Sequence, residues 1–549
     1  MRKWLLFLSL IILVVATILF YFWSDSFDPY RELDTPVPQF EKVALDFVHA
    51  FDGDRSLPLM GSTLIDINKD GVDEVFIGGG MGQDDMLFQW PTEATKIMHF
   101  QPTSPSLEVY DKSFYPKREV LSTLSASSVD LDDNGWEDLI VGRENGLTVY
   151  YNKSGLLIDI VLDLEFNENT SPLLTRDIDK DGDLDLFVAY IKKELMDGLT
   201  NFSSDYGGYS ELFRNDGDNV FTNITDEALR YQHNTFQVFV DLNDDQWLDL
   251  VVAYDTGEPR IYKNNGDLTF ELMKNPHSDR YSYPMGIGIG DYNNDGMTDV
   301  FFSNVGSTIP KSVGKGNIED TSLLDFEWFL LENQDFVFEE VADKTKVADY
   351  EFSWGAVMAD MNNDGRQDLL VAENYVDLPQ QAIFKLPGRM LIQNSKGEFV
   401  STEKQSGVRN FHFGITPLVS DFNQDGLLDI VWINIDGPAQ AFVSKPETSR
   451  NHYLKLQMPS DAKHIGAKII IESNNQKKLE DYITELASDQ SSTIVFYNFE
   501  TLTSIEILFV DSNYVLTGDD LIYDLHCGKK QIAYPYKIAR PGMLTGCDI

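Results

Sequence analysis

Seven short stretches of this chain share one spacing of oxygen-bearing side chains: Asp-x-Asp/Asn-x-Asp/Asn-Gly-x-x-Asp, followed by an apolar run. They begin at Asp66, Asp130, Asp177, Asp241, Asp291, Asp360 and Asp421. Position 3 is Asn68, Asp132, Asp179, Asn243, Asn293, Asn362 or Asn423. Position 5 is Asp70, Asn134, Asp181, Asp245, Asp295, Asp364 or Asp425, and position 9 is Glu74, Asp138, Asp185, Asp249, Asp299, Asp368 or Asp429. In a tight loop the oxygens at positions 1, 3 and 5 converge on one point. A glycine at position 6 lets the backbone turn with φ > 0. The carbonyl at position 7 and the acid at position 9 then close the shell. Roughly five or more hard oxygens suit Ca²⁺ better than Mg²⁺, which keeps its waters, or Zn²⁺, which prefers nitrogen and sulfur. The spacing therefore predicts Ca²⁺ as the cofactor, with up to seven ions. Gln246 stands where the fourth loop needs glycine, so that turn is expected to be strained and that site the weakest.

An EF-hand is the obvious competitor, but it needs a glutamate at position 12 and a helix on each side. Position 12 here is Ile77, Val141, Val188, Val252, Phe302, Val371 or Trp432, each inside a β-like apolar run. The pattern predicts a hairpin loop entering a buried strand instead. One such loop alone is as readily an acidic turn. Seven loops with the same ligand positions are not explained that way.

The elements that must position these loops repeat with them. After each loop comes an apolar strand. A strand ending in asparagine follows, as in Leu212–Asn215, Ile261–Asn264 and Leu391–Asn394. A turn then leads to an aromatic strand carrying Phe221, Phe270, Phe338 or Phe399. Roughly four strands per repeat, arranged around an axis, make a β-propeller. The fold class is all-β: a seven-bladed propeller over residues 40–446, with a small β domain over 447–525 and a tail over 526–549. The last repeat lacks its aromatic strand, and FEKV at Phe40–Val43 resembles FEEV at Phe338–Val341, so the N-terminal segment is expected to complete the final blade.

In antiparallel blades the acidic loops share one face. The long insertions 78–105, 190–210 and 304–325 are expected on the other. Aromatics there are the candidate ligand face: Trp90, Tyr206, Tyr209, Tyr231, Tyr281 and Tyr350, with Phe202, His233 and Phe411 nearby. Variable loops on a rigid frame are where recognition usually sits. Taken singly, each aromatic is better explained by packing its own loop.

Arg2 and Lys3 precede an apolar run from Trp4 to Trp23. Twenty helical residues span roughly 30 Å, the hydrocarbon thickness. The run ends in bulky aromatics rather than a small-residue cleavage site, which predicts an uncleaved single-pass anchor over residues 1–24 with a linker to residue 39. The basic flank places the N-terminus in the cytoplasm and the bulk of the chain in the periplasm or outside the cell. The net charge of −46 excludes a nucleic-acid binder, which needs a basic surface. Cys527 and Cys547, the only cysteines, could bridge in an oxidising compartment.

The stretch Ser353–Asn374 (SWGAVMADMNNDGRQDLLVAEN) and its counterparts resemble the FG-GAP/VCBS repeats of integrin α-chain propellers. The resemblance implies a calcium-stabilised propeller used for adhesion or recognition. Asn451–Gln457, His464–Ser473, Ser491–Glu500 and Ser504–Val510 resemble an ASPIC/UnbV domain, and the combination is similar to the cartilage acidic protein 1-like family. Phe496-Tyr497-Asn498-Phe499 and Phe509-Val510-Asp511 depart from that family's Phe-Gly-Leu-Gly-like and Trp-Pro features. The leading expectation is a non-catalytic module for a glycan or protein partner at the cell envelope. A propeller-type polysaccharide lyase or hydrolase and a calcium-dependent envelope scaffold are the alternatives. Scattered histidines and the absence of a nucleophile motif weigh against catalysis.

Overall fold

The runs that follow the acidic loops form strands buried along their whole length, as in Asp138–Arg143, Asp249–Asp255, Asp299–Ser303, Asp368–Glu373 and Asp429–Asn434. A strand with both faces buried must sit between two packed layers. The computed structural model of the chain describes residues 33–49, 61–79, 83–90, 108–109, 122–143, 146–161, 169–191, 210–226, 229, 234–255, 257–306, 309–315, 318–373, 386–435, 437–445, 453–473, 476–481, 493–497, 502–509, 513–517 and 537–542.

Among these residues seven four-stranded antiparallel sheets succeed one another. The fourth is representative, with strands Asn234–Val240, Asp249–Asp255, Arg260–Asn264 and Phe270–Met273 in sequence order. The others span 62–109, 123–161, 169–223, 286–340 and 353–401 in the same order. The seventh takes its first three strands from 414–444 and its fourth from Phe40–Val43, with Phe40 opposite Ser444. That register matches Phe270 opposite Asn264 and Phe338 opposite Asn333, so the N-terminal strand fills the aromatic position missing from the last repeat.

Neighbouring sheets share cores. Ile65 and Phe76 pack with Leu139 and Val141, and Phe187 packs with Phe239 and Leu250. The seventh sheet packs back on the first: Leu418, Val431 and Ile433 share a cluster with Leu64, Val75 and Ile77. His49 bridges the same two sheets, bonding the Asn434 carbonyl and, at 3.1 Å, that of Gly78. The arrangement fits a β-propeller, in which the first strands crowd together. Crowding is visible at glycine: a Cβ on Gly286 would lie 2.2 Å from the Trp354 carbonyl oxygen, and one on Gly355 2.7 Å from that of Ile415.

The C-terminal residues add two sheets. One orders Gln476–Asp481, Lys468–Ser473, Leu502–Leu508 and Asn513–Thr517. The other orders Thr493–Tyr497, Tyr453–Gln457 and Lys537–Gly542. The strand Lys537–Gly542 corrects the expectation of a separate tail over 526–549, because it pairs with Tyr453–Gln457. Among the described residues no helix is long and apolar enough to cross a membrane. The Trp4–Trp23 run lies outside them, as do Cys527 and Cys547.

Candidate metal centres

Each acidic loop joins the first and second strands of its sheet, and its first aspartate organises it. One carboxylate oxygen of Asp66, Asp130, Asp177, Asp241, Asp291, Asp360 or Asp421 accepts the position 5 N–H, and the other accepts the position 6 N–H, at 2.6–3.3 Å. Position 6 has positive φ in every loop: Gly71, Gly135, Gly182, Gly296, Gly365 and Gly426 lie between +82° and +98°, and Gln246 is held at +68°. The sequence reading missed a second left-handed residue. Position 4 is also left-handed in all seven loops, at Lys69, Asp133, Lys180, Asp244, Asn294, Asn363 and Gln424. The enrichment there of Asn and Asp, which tolerate this conformation, was the available signal.

The position 9 acid ties the loop to the sheet. One oxygen of Glu74, Asp138, Asp185, Asp249, Asp299, Asp368 or Asp429 accepts the position 2 N–H at 2.9–3.2 Å. In loops two to seven the other oxygen accepts a backbone N–H at the end of the third strand, at 2.6–2.9 Å: Asn152, Asn215, Asn264, Asn333, Gln393 or Ser444. This explains the recurring asparagine. In some sheets its side chain reaches the preceding loop, where Asn152 donates to the Ile67 carbonyl at 2.9 Å and Asn333 to that of Leu242 at 2.8 Å, whereas Asn215 donates to the Leu184 carbonyl of its own loop at 3.3 Å. In the sixth sheet Gln393, not Asn394, takes this place and donates to the Tyr292 carbonyl at 2.9 Å. Asn394, the asparagine expected there, therefore stands one residue beyond the equivalent position.

The remaining oxygens suit a cation. The ligand atoms of Asp130, Asp132 and Asp138 lie within 4.8 Å of one another, as do those of Asp177, Asp179 and Asp185. Asp132 Oδ1, Asp179 Oδ1 and Asn243 Oδ1, all at position 3, are buried and accept no hydrogen bond from the described residues. A buried acceptor without a donor is costly, and a hard cation would satisfy it. Elsewhere the position 3 residue already bonds the position 5 N–H, as Asn68, Asn293, Asn362 and Asn423 do with Asp70, Asp295, Asp364 and Asp425.

Charge shows the same demand. Burial is the main cause that pushes Asp66 and Asp291 up to about 7, and Asp138, Asp185, Asp249 and Asp299 up to about 8. Neighbouring loop carboxylates add to the rise, and the backbone N–H bonds oppose it. Asp130 and Asp177 rise to about 6, again chiefly through burial. Glu74, Asp368 and Asp429 are also held well above the usual carboxylate range by burial.

The C-terminal sheets sit on this loop face. The Asp130 N–H donates to the Ser460 carbonyl at 2.8 Å, and Ser460 Oγ bonds Glu137, whose other oxygen accepts the Asp66 N–H at 2.8 Å. Lys468 pairs with Asp244. Met458, Ile465, Ile469 and Ile507 share a core with Leu131 and Leu184. A cleft of about 630 Å³ between the second and third loops and residues 461–463 is lined chiefly by aspartates.

The opposite face differs from expectation. Trp90 follows the third strand of the first sheet, Met86–Gln89, so it lies at the acidic-loop end and packs on the core shared with the seventh sheet. The described residues of the insertion 78–105 thus reach both faces. Tyr350 is buried and stacks on Trp328 at 4.9 Å, while Arg389 lies over its ring and pairs with Glu351, Glu373 and Glu403 at 2.8–3.0 Å. It is a packing residue. Tyr281 is half-buried, and its N–H bonds the Leu323 carbonyl at 2.8 Å. Phe411 is 42% exposed. Tyr206, Tyr209, Tyr231, Phe202 and His233 lie outside the described residues.

Residues 130–188 and 241–302 match the FG-GAP-like repeat family. These stretches carry loops two to five. No curated protein matches the sequence. Among solved structures, BBS1N in complex with ARL6DN is similar at 11% identity and a TM-score of 0.42, over 75% of this chain and 99% of that one. An ancestral GH74 enzyme is similar at 11% identity and a TM-score of 0.40, over 80% of this chain and 51% of that one. Two stretches of the seven-sheet region are therefore similar to FG-GAP-like repeats by sequence.

Two outcomes are expected. Gln246→Gly keeps the backbone bond to Asp241 and removes a left-handed side chain, so it should stabilise the protein by about 1 kcal/mol. Urea unfolding should show a higher midpoint at unchanged slope. The second concerns pH. Asp66, Asp130, Asp138, Asp177, Asp185, Asp249, Asp291 and Asp299 have folded values of about 6 to about 8 against 3.8 ordinarily, so their protonation favours the folded state. In excess chelator the stability they contribute is present at low pH and lost as pH rises through that window. The chelated protein should melt at a lower temperature at pH 8.5 than at pH 5.5. A chelated protein that is more stable at pH 8.5 would contradict this account of the loops.

Proposed function

We propose that this chain is a calcium-binding, seven-bladed propeller of the cell envelope that recognises a glycan or protein partner without catalysis. The observation that supports it most is the repeated donor set, in which position 3 oxygens are buried in acidic loops without a hydrogen-bond donor among the described residues. Calcium would be held by the residues at positions 1, 3, 5 and 9 and would supply rigidity rather than chemistry. The Trp4–Trp23 run anchors the chain, with the N-terminus in the cytoplasm and the propeller outside. Residues 447–525 are read as the ASPIC/UnbV-like domain on their sequence. Because the C-terminal sheets take up part of the acidic-loop face, the partner is assigned to the opposite face, where Tyr281 and Phe411 remain reachable.

The test uses the full chain in detergent. At 1,000 times its Kd, one calcium site adds about 4 kcal/mol to the folded state. Chelation should therefore lower the melting temperature markedly, and an unchanged melt would remove calcium from the account. Calcium-dependent binding to one sugar class on a glycan array supports the recognition role. Turnover of an arrayed polysaccharide would replace that role with an enzymatic one.

A further inference from the structure

The sixth loop is built differently from the second and third. Lys478, on the C-terminal strand Gln476–Asp481, places its Nζ 3.5 Å from Asp360 Oδ2 and 3.4 Å from Glu480 Oε1. The lysine side chain is 14% exposed and that of Asp360 1%. Asp364 Oδ2, at position 5, is occupied as well: Arg366 Nη2 reaches it at 2.5 Å, Asn362 Nδ2 at 3.0 Å, and the Thr35 hydroxyl also bonds it. The strand that carries Lys478 is seated on both sides. Gln367 Nε2 donates to Glu480 Oε1 at 2.7 Å, and Thr298 Oγ1 donates to Asp481 Oδ2 at 2.7 Å. An ammonium thus faces Asp360 and a guanidinium faces Asp364. The second loop offers a contrast. Its Lys153 pairs with Asp132 at 2.5 Å but is 49% exposed, so it can swing into water, and Asp132 Oδ1 is left without a donor among the described residues.

Resting on the calcium reading of the other loops, we propose that Lys478 is the resident cation of the sixth loop. That loop docks the C-terminal sheets and takes no calcium while they are seated. The chemistry is competition. A divalent ion between Asp360 and Asp364 would stand beside two positive side chains at short range, so it can enter only when Lys478 leaves. Binding of calcium there and seating of the C-terminal strand are therefore mutually exclusive, and each weakens the other by the same factor.

The test is a calcium count on the full chain in detergent, by equilibrium dialysis against ⁴⁵Ca²⁺. Lys478→Met is expected to bind one more ion per chain than the unsubstituted protein. Asp360→Asn is expected to bind the same number as the unsubstituted protein, while hydrogen exchange across 476–481 becomes at least tenfold faster as the docking pair is lost. Loss of one ion in Asp360→Asn would overturn the proposal, because the loop would then already hold calcium. No gain in Lys478→Met would overturn it too. An unsubstituted protein that binds no calcium would instead fail the reading on which the proposal rests, a result these relative counts keep distinct.

Discussion

The structure depends on carboxylates that have been taken out of water. In each loop the first aspartate gives both oxygens to backbone N–H groups, and the ninth residue joins the loop to its own sheet. Those bonds shape the loop but do not neutralise it. Buried like charges within a few ångströms must be protonated or matched by a cation. Burial and neighbouring carboxylates push several loop aspartates up to about 8, which reflects that demand.

The same residues carry the fold from sheet to sheet. Asn333 binds Asp299 of its own sheet through its N–H and the Leu242 carbonyl of the preceding loop through its side chain. Asn152 does the same for Asp138 and Ile67. Loop geometry is thereby coupled to the interfaces between sheets. The Phe40–Val43 strand then joins the N-terminal segment to the last sheet.

The loops were legible because ligand spacing is local, and seven repeats make it hard to mistake. The N-terminal strand was legible because FEKV repeats FEEV, and its register proved the same. Long-range features were not. Nothing in the sequence around Tyr350 announces that it is buried between Trp328 and Arg389. Trp90 departs from its expected end because the insertion 78–105 contains a third strand at Met86–Gln89, which carries it back to the acidic-loop face. Gln393 replaced Asn394 because a glutamine can make the same reach to the preceding loop. The seating of Lys478 on Asp360 joins residues over a hundred positions apart, and no spacing rule reports that.

The most direct test of the central claim is anomalous diffraction from crystals grown in calcium, collected at long wavelength. The account predicts peaks about 2.3–2.6 Å from the oxygens of Asp130, Asp132 and Asp138, and likewise in the third loop at Asp177, Asp179 and Asp185. Ordered water without anomalous signal in both loops, at millimolar calcium, would contradict it.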